Sequence, residues 1–480
     1  MTEDIKRLEK SALNLEPDAK ERKELLKKVI DYSENFLKNV YNMPAYNFNA
    51  GKGEGIYGFP VQDNPIDFDK VLDVLKTNVD NPGLNPAHRG HLGYIPGGGI
   101  FHSALGDFLA DVTNRYAGVF FASPGAVRME NMLLKWMAGF TGYPETASGS
   151  LTSGGSIANL MSIVTSRDAH NLKAKDFDRS VIYVTSQVHH SVDKALRIAG
   201  LKDCIRRFIP LDSSWRMKPG SLEEAIIKDK EAGLNPWLII ASAGTTDTGA
   251  VDPLQEIGEI ASKYKLWYHI DAAYGGFFNL CDSGRKVLKG IETSDSVIMD
   301  PHKGLFIPYG SGAVLVKDRM KLLESHHYEA NYMQDALSST DELAPADLSP
   351  ELSKHFRGLR LWLPLMTLGV KPFRDALEEK IQLARYFHEK LAEIKGIARG
   401  PYPQLSVDTF RYIPEKGDAD EFNSRLVHEI QHDGRLFLSS TMVDGKFTLR
   451  LAVLSFRTHL DTIDEMLEII KEKIKVVKGS

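Results

Sequence analysis

The sequence has few of the features that stabilise small secreted proteins or hold a protein in a membrane. Only two of its 480 residues are cysteines, Cys204 and Cys281, and no Cys-x-x-Cys pair occurs. These counts exclude a disulfide scaffold and a thiolate zinc site, and they favour a reducing compartment. The longest apolar runs, such as residues 237–240, are far shorter than the roughly 20 residues that cross a bilayer.

An excess of charge of one sign is also missing. The chain carries 59 basic and 64 acidic residues, for a net charge of −5, and it has no long basic block. Nucleic acid is therefore disfavoured as a partner, because phosphate neutralisation needs clustered Lys and Arg. The N-terminus becomes charged at its third residue and has no apolar signal region. We expect a cytoplasmic protein that binds neither nucleic acid nor membranes.

The chain divides into three zones of different pattern. Residues 1–85 contain an amphipathic helix after Pro17, which either packs on its own core or is exchanged with a partner subunit. Residues 86–365 alternate short apolar runs with helical patterns, which is typical of an α/β domain with a mostly parallel sheet and helices on both faces. The strands predicted there are residues 181–184, 237–241, 266–270, 297–299 and 313–316.

The last zone, residues 366–480, has the pattern of a smaller α+β domain. Its predicted elements are helices over 372–391 and 460–474 and a strand over 447–454. The three zones together fit the two or three domains that a chain of this length allows.

Two common catalytic motifs are absent from the sequence. It contains no G-x-x-x-x-G-K-[ST] phosphate loop and no G-x-S-x-G nucleophile elbow. Four other motifs in the middle zone carry polar residues next to predicted strands and helices. Each of them alone also occurs as a plain loop, a helix cap or a surface charge, so the interpretation depends on their combination.

The first two motifs are a glycine pair before a helix and a histidine pair after a strand. In residues 152–156, the glycines let backbone N–H groups approach an anion, and Ser156 can donate its hydroxyl at the helix N-terminus. Residues 189–191 are His-His-Ser and follow the predicted strand over 181–184. Adjacent histidines point in different directions, so we expect no metal ion there; one imidazole can instead stack on a flat cofactor ring.

The other two motifs follow buried predicted strands. Asp271 comes directly after the strand over 266–270, where open α/β sheets place their ligands. Lys303 follows the strand over 297–299, and desolvation makes such an amine a nucleophile for an aldehyde. A phosphate cradle, a stacking imidazole, a carboxylate and a lysine are the groups that hold pyridoxal phosphate (PLP). The four motifs together therefore predict a PLP enzyme.

The motifs resemble those of the group II pyridoxal-phosphate-dependent amino-acid decarboxylases, the family of aromatic-L-amino-acid decarboxylase. The most specific pieces are His-Ile-Asp-Ala-Ala-Tyr at 269–274, Asp-Pro-His-Lys at 300–303, Ser123-Pro124 with Glu130, and Phe-Arg-Gly-Leu-Arg-Leu-Trp at 356–362. The resemblance covers about residues 85–365 well and both ends more weakly. It implies a fold type I PLP enzyme with a seven-stranded sheet, and a homodimer whose active sites lie at the subunit interface.

The resemblance also implies roles for individual residues. Lys303 is implied as the Schiff-base lysine, Asp271 as the partner of the pyridine nitrogen and His189 as the stacking imidazole. The implied cofactor-binding residues are Gly155, Ser156, His189, Thr246, Asp271, Ala273, Ser296, His302 and Lys303. The residues implied to line the pocket for the substrate side chain are Tyr94, Ile95, Pro96 and Tyr116.

The implied reaction converts an L-amino acid to an amine and CO2. In aromatic decarboxylases a loop tyrosine before the Phe-Arg stretch is thought to return a proton to Cα, but the aligned residues 347–351 contain no tyrosine. Tyr332 and His189 are the remaining candidates to return this proton. Relatives that replace the tyrosine can form aldehydes oxidatively. Asp300 also stands where many relatives have asparagine, which adds a negative charge near the phosphate.

The substrate depends on the direction of Arg115. Facing the pocket, Arg115 favours an acidic substrate by charge pairing; facing outward, it leaves Tyr94, Tyr116 and Phe120 to surround an aromatic ring. We expect an aromatic substrate such as tryptophan, tyrosine, phenylalanine or dopa. The alternatives are an acidic or diamino acid, an oxidative aldehyde synthase, a carbon–carbon lyase similar to sphingosine-phosphate lyase, and a non-catalytic protein that retains the fold.

Overall fold

The computed structural model describes residues 1–48, 50–327 and 342–479. The N-terminal elements are α1 (Thr2–Ala12), α2 (Ala19–Asn39), β1 (Tyr46–Asn47), α3 (Phe68–Leu75) and β2 (Gly83–Leu84). The Asp18 carboxylate caps α2 by accepting from the N–H groups of Lys20 and Glu21, so the predicted helix begins two residues after Pro17. In the described chain, α1, α2 and α3 contain no buried residue.

The middle of the chain forms the expected seven-stranded sheet. Its strands are β3 (Ser148–Thr152), β4 (Ser180–Val184), β5 (Ile205–Phe208), β6 (Asn235–Ser242), β7 (Trp267–Asp271), β8 (Ser296–Met299) and β9 (Gly312–Val316). They lie in the order β3-β9-β8-β7-β6-β4-β5. The five strands from β8 to β5 are parallel, and β9 is antiparallel to both of its neighbours. The carboxyl ends of β3, β6, β7 and β8 therefore lie at the same edge.

The sequence pattern identified five of these strands and missed β3 and β5. The sequence of β3 is Ser-Gly-Ser-Leu-Thr, with one large apolar residue, although four of its five residues are buried. In β5, half-buried and exposed residues alternate at the edge of the sheet. Neither strand has the continuous apolar run that indicates a strand buried on both faces.

Helices cover both faces of this sheet. They are α4 (Phe101–Thr113), α5 (Pro124–Thr141), α6 (Gly155–Ala169), α7 (His190–Ile198), α8 (Pro219–Glu231), α9 (Leu254–Tyr264), α10 (Asp282–Val287), α11 (Pro301–Gly304), α12 (Arg319–His326) and α13 (Arg357–Leu368). Val181 and Tyr183 belong to the apolar core on one face, whereas Ile182 and Val184 belong to the core on the other. Among the described residues, no helix is long and apolar enough to cross a bilayer.

The C-terminal zone is the expected smaller α+β domain. Its elements are α14 (Lys371–Leu391), β10 (Ile397–Arg399), β11 (Val407–Tyr412), α15 (Ala419–Asp433), β12 (Ser439–Val443), β13 (Lys446–Ala452) and α16 (Leu460–Gly479). The strands form an antiparallel sheet in the order β10-β11-β13-β12, and α14, α15 and α16 complete its core. The predicted boundary after residue 365 falls within α13; the chain breaks instead at Gly369, whose φ is +72°.

A buried ion pair ties α5 to the sheet and to the segment before α13. Lys354 Nζ donates to Glu130 Oε1 at 2.8 Å and to Ser150 Oγ at 3.0 Å. The same Glu130 oxygen accepts from the N–H of Leu151 on β3 at 3.0 Å. The side chains of Lys354 and Glu130 are 0% and 2% exposed. Removal of either charge therefore leaves the other one buried and uncompensated.

We predict that Lys354→Met lowers the free energy of unfolding by about 3–5 kcal/mol, because the Glu130 carboxylate is left buried without its cation. Lys263→Met is the matched control: Lys263 pairs with Glu223 at 2.6 Å on the surface, and loss of such a pair costs about 1 kcal/mol or less. Urea unfolding followed by tryptophan fluorescence measures both variants. Equal stability of the two variants would contradict the prediction.

Candidate active site

A cavity of about 310 Å³ lies where the carboxyl ends of β6, β7 and β8 meet the start of α6. It occupies the edge at which open α/β sheets bind ligands. The residues that line it are Ser153, Gly154, Gly155, Ser156, Asn159, Gln187, His189, Ser191, Ser242, Gly244, Thr245, Thr246, Asp271, Ala273, Tyr274, Asp300, His302 and Lys303. These residues come from separate chain segments, so only the folded sheet brings them together.

Lys303 lies on α11, the single helical turn that follows β8. Its Nζ is 2.9 Å from Oδ2 of Asp300, and the Lys303 side chain is 24% exposed whereas that of Asp300 is 2% exposed. The chain at Gly97 packs against this turn, because a Cβ added to Gly97 would lie 2.3 Å from the carbonyl oxygen of His302. The fold thus holds one primary amine at the cavity wall, paired with a buried carboxylate.

Asp271 is the last residue of β7, as predicted, and its carboxylate is buried. Its Oδ1 accepts from the N–H of Ala273 at 3.1 Å, and its Oδ2 accepts from Asn159 Nδ2 at 3.0 Å. Each oxygen has one protein donor and keeps a lone pair for a ligand. A protonated ring nitrogen is the complementary partner for such a carboxylate.

His189 caps α7 and lines the cavity. Its Nδ1 accepts from the N–H of Ser191 at 3.3 Å and lies 2.7 Å from Ser191 Oγ. The proton of the neutral ring is therefore on Nε2. Burial lowers the pKa of His189 against the raising effect of nearby Asp271, so the imidazole is neutral at neutral pH. A neutral ring with one N–H can stack on a flat ligand and donate a hydrogen bond.

The start of α6 forms a cradle for an anion. Residues 153–156 lead into the helix, whose first N–H groups have no acceptor within the helix. The glycine at 155 allows close packing, because a Cβ there would lie 3.1 Å from Asp300 Oδ2. His302 lines the cavity beside this loop, and its Nδ1 donates to the carbonyl of Ser311. The loop, the helix N-terminus and the imidazole together suit a phosphate.

All but one of the predicted cofactor-binding residues line this single cavity. Those that do are Gly155, Ser156, His189, Thr246, Asp271, Ala273, His302 and Lys303. Their positions agree with the predicted roles, and the roles themselves stay predictions until a ligand is bound.

Ser296 is the exception, and its position disagrees with the predicted role as a cofactor-binding residue. Ser296 begins β8, at the opposite end of the strand from Lys303, and is completely buried. Its Oγ accepts from Trp267 Nε1 at 2.8 Å and lies 2.6 Å from Ser162 Oγ. A side chain enclosed in this way does not reach the cavity.

The predicted substrate residues Tyr94, Ile95 and Pro96 do not line this cavity in the single chain. Ile95 and Pro96 are buried, whereas the Tyr94 side chain is 57% exposed. The Tyr94 backbone has a φ of +43°, and its carbonyl accepts from Arg450 Nη2 at 3.1 Å. Arg450 is a buried guanidinium that the sequence analysis did not identify, and it holds this segment next to the site.

The remaining substrate and catalytic predictions have different outcomes. Tyr116 and Arg115 are exposed in the single chain, and the Tyr116 hydroxyl donates to the carbonyl of Leu352. Arg115 therefore does not face this cavity. Tyr332 lies outside the described residues, and its role in returning a proton stays a prediction.

Several lining residues were not identified as site residues from the sequence. They are Asn159, Gln187, Ser191, Thr245 and Tyr274. Asn159 follows Gly155 by four residues and so lies on the same face of α6. This helical spacing is the signal in the sequence that could have identified Asn159.

The cavity has one complementary group for each functional part of PLP. It offers an amine for the aldehyde, a carboxylate for the ring nitrogen, a helix N-terminus for the phosphate and an imidazole for a ring face. The residues present therefore fit this cofactor.

Comparisons with known proteins agree with the site. Residues 59–397 match the pyridoxal-dependent decarboxylase conserved domain. The aromatic-L-amino-acid decarboxylase of Bacillus atrophaeus is 34% identical over 422 residues, which are 87% of each chain. The phenylacetaldehyde synthase of Arabidopsis thaliana is 27% identical over 472 residues, covering 95% of this chain and 96% of that protein. The crystal structure of Oryza sativa TDC with PLP and tryptamine has a TM-score of 0.90 at 26% identity, covering 96% of this chain and 99% of that one.

The matched domain spans more than half of the chain and contains every residue that lines the cavity. The structural likeness extends over nearly the whole length of both chains. This chain therefore belongs to the pyridoxal-dependent decarboxylase family and is a PLP-dependent amino-acid decarboxylase.

Proposed function

We propose that this enzyme decarboxylates an aromatic L-amino acid, such as tryptophan, tyrosine, phenylalanine or dopa, to its amine and CO2. One observation carries the proposal. Among the described residues, Lys303 is the only lysine or arginine that lines the cofactor cavity or the larger cavity next to it. An acidic substrate needs a second cation to pair with its side-chain carboxylate. The similarity to an aromatic-L-amino-acid decarboxylase supports the same substrate class.

The larger cavity suits an aromatic ring. It has a volume of about 580 Å³ and meets the cofactor cavity at His302. Its carboxylate, Asp80, accepts a hydrogen bond from the Tyr32 hydroxyl. Its apolar and aromatic lining consists of Phe36, Val79, Leu84, Pro86, Ala87, Ile307, Pro308 and Tyr309. Burial of an apolar ring against such walls is favourable by about 25 cal/mol for each Å² removed from water.

The roles of the chain's own residues follow from their positions. When bound, PLP supplies an electron sink for the pair that remains when the carboxylate leaves Cα. Lys303 provides the amine that holds the cofactor aldehyde, and Asp271 holds a proton at the ring nitrogen. The start of α6 binds the phosphate, while His189 and Ala273 cover the two faces of the ring.

Return of a proton to Cα completes the reaction. We assign this step to Tyr332, with the Nε2–H of neutral His189 as the other candidate donor. The proton donor determines the product, because a Cα that is not protonated can react with oxygen and give an aldehyde. The similarity to a phenylacetaldehyde synthase supports aldehyde formation as the alternative reaction.

The proposal includes a homodimer in the cytoplasm, with the site at the subunit interface. The helices α1 and α2 contain no buried residue within the single chain, and Tyr94 and Tyr116 are exposed. Helix α4 exposes five large apolar side chains: Phe101, Leu105, Phe108, Leu109 and Val112. A large exposed apolar surface marks a protein interface. Both cysteines are free and buried, in keeping with a reducing compartment.

Product analysis tests the substrate class. We expect the PLP-loaded enzyme to form amine and CO2 from at least one aromatic L-amino acid, and neither from glutamate nor aspartate. Mass spectrometry of single-substrate reactions measures this. Lys303→Ala should abolish turnover and the visible absorbance of the bound cofactor, whereas the surface variant Lys263→Ala should keep both. Turnover of acidic or diamino acids alone would overturn the aromatic assignment and leave the family assignment intact.

The Tyr332→Phe variant tests the proton donor. We expect the ratio of aldehyde and hydrogen peroxide to amine to rise by about tenfold or more, because the hydroxyl that protonates Cα is lost. Tyr328→Phe, from the same stretch of sequence, is the matched control and should keep the wild-type ratio. An unchanged ratio in Tyr332→Phe, combined with loss of amine formation in His189→Gln, would assign the proton to His189.

The Asp300→Asn variant tests the effect of the extra charge on cofactor binding. Asp300 lies against Gly155 in the anion cradle and repels a phosphate there. We therefore expect Asp300→Asn to tighten PLP binding by about 1–2 kcal/mol, which is about a five- to thirtyfold lower Kd. Titration of apoenzyme with PLP, followed by tryptophan fluorescence, measures the Kd. Asp282→Asn, at a carboxylate that is 85% exposed, is the control. Weaker binding by Asp300→Asn would show that the ion pair with Lys303 outweighs the repulsion.

A further inference from the structure

A path of hydrogen-bonded side chains runs from Asp271 into the protein, away from the cavity. Trp267, His269 and Asp271 alternate along β7 and therefore share one face of the strand. This face meets α6, which contributes Asn159 and Ser162. The members of the path behind Asp271, all buried, are Asn159, His269, Ser162, Ser296 and Trp267.

The donors along this path all point towards Asp271. The indole of Trp267 can only donate, and it donates to Ser296 Oγ at 2.8 Å. The Ser296 hydroxyl is then free to donate to Ser162 Oγ at 2.6 Å, and the Ser162 hydroxyl to His269 Nδ1 at 2.8 Å. Ser296 Oγ also lies 3.0 Å from His269 Nδ1, so this nitrogen has two hydroxyl donors within reach. His269 Nδ1 is therefore an acceptor.

The tautomer of His269 fixes the amide of Asn159. Burial lowers the pKa of His269 to about 4, so the ring is neutral and carries its single proton on Nε2. Nε2 donates to Asn159 Oδ1 at 2.9 Å. The amide nitrogen of Asn159 is thereby turned to Asp271 Oδ2 and Ser191 Oγ, each at 3.0 Å. The Asp271 carboxylate, which can only accept, requires the same end of the amide, so His269 and Asp271 fix the Asn159 amide from opposite sides.

Asn159 is a branch point for two groups of the active site. One of its N–H groups donates to Asp271 Oδ2, and the other donates to Ser191 Oγ. The Ser191 hydroxyl then donates to His189 Nδ1 at 2.7 Å, which leaves the His189 proton on Nε2. One amide thus orients both the carboxylate that faces the cofactor ring nitrogen and the imidazole that lines the cavity.

We propose that Asn159 and His269 are positioning residues for the decarboxylation. His269 locks the Asn159 amide, and Asn159 holds Asp271 and, through Ser191, His189 in the orientations that the bound cofactor needs. A polar path of this length is costly in an apolar core unless every member is satisfied. The fold alone is served equally well by apolar residues between α6 and β7. The inference rests on the PLP-dependent reaction and does not depend on which amino acid is the substrate.

The test compares His269→Phe with His269→Gln in the PLP-loaded enzyme. The phenylalanine keeps a ring but donates nothing, whereas the glutamine amide can still donate to Asn159 Oδ1. We expect His269→Phe to lower kcat by about ten- to a hundredfold, with KM changed less than about threefold, and to shift the visible absorbance maximum of the bound cofactor. We expect His269→Gln to restore the wild-type spectrum and kcat to within about threefold.

A double-mutant cycle decides whether His269 acts through Asn159. Asn159→Ala should have the same effects as His269→Phe, and the double variant should be no worse than Asn159→Ala alone. Ser166→Ala is the control: Ser166 is a buried serine of α6 that donates to the carbonyl of Ile163. It should leave kcat, KM and the spectrum unchanged.

Two results would overturn the proposal. One is a wild-type spectrum and kcat in His269→Phe, which would make the path purely structural. The other is a double variant whose losses are the product of the single losses, which would mean that the two residues act independently. Should His269→Phe not fold, the spectrum of Asn159→Ala decides alone, and a wild-type spectrum there overturns the proposal as well. The absorbance readout is independent of the substrate, so it remains valid even where the aromatic assignment fails.

Discussion

Burial of negative charge at the ends of β7 and β8 is the constraint on which the site depends. Asp271 and Asp300 lie at adjacent strand ends and are almost completely shielded from water. An uncompensated carboxylate there costs several kcal/mol. The fold compensates Asp271 with two hydrogen bonds and Asp300 with the Lys303 ammonium. The groups that compensate these charges also line the cavity, so the stability of this sheet edge and the shape of the site are not separable.

The C-terminal domain holds the walls of the cavity in place. The hydroxyl of Tyr274, which lines the cavity, accepts from the N–H of Ser406 at 2.8 Å. Arg450 on β13 donates to the carbonyl of Tyr94, and burial lowers the pKa of Arg450 to about 10, which leaves it cationic at neutral pH. The matched family domain ends at residue 397, whereas Ser406 and Arg450 both lie after this residue. The site therefore depends on contacts from beyond that domain.

The sequence pattern predicted those parts of the site that follow from strand direction. Asp271 and Lys303 each come after an apolar run, and parallel neighbours bring such positions to one edge. The sequence pattern did not predict the directions of side chains that lie outside the sheet edge. Arg115 and Tyr94 are both exposed in the single chain, and neither lines the cavity. The edge strand β5 was missed because its alternation of half-buried and exposed residues is short.

Ser296 shows why a motif that is continuous in sequence need not be continuous in a site. Ser296 begins β8 and Lys303 follows the end of β8, so the length of the strand, about 13 Å, separates the two residues. The same geometry places Ser296 in register with His269 on β7. A residue that does not reach the cavity is therefore well placed to orient His269, which shares a strand with Asp271.

The polar path can be recognised in the sequence when the two-residue repeat of β7 and the helical repeat of α6 are considered together. Trp267, His269 and Asp271 repeat every second residue on β7, and Asn159 and Ser162 repeat at helical spacing on α6. Each stripe alone is a minor irregularity in an apolar element. Two polar stripes that face each other across a core are costly for folding unless every member is hydrogen-bonded, and these two end at Asp271 in the wall of the cavity. This combination, rather than any single residue, is what argues for a function.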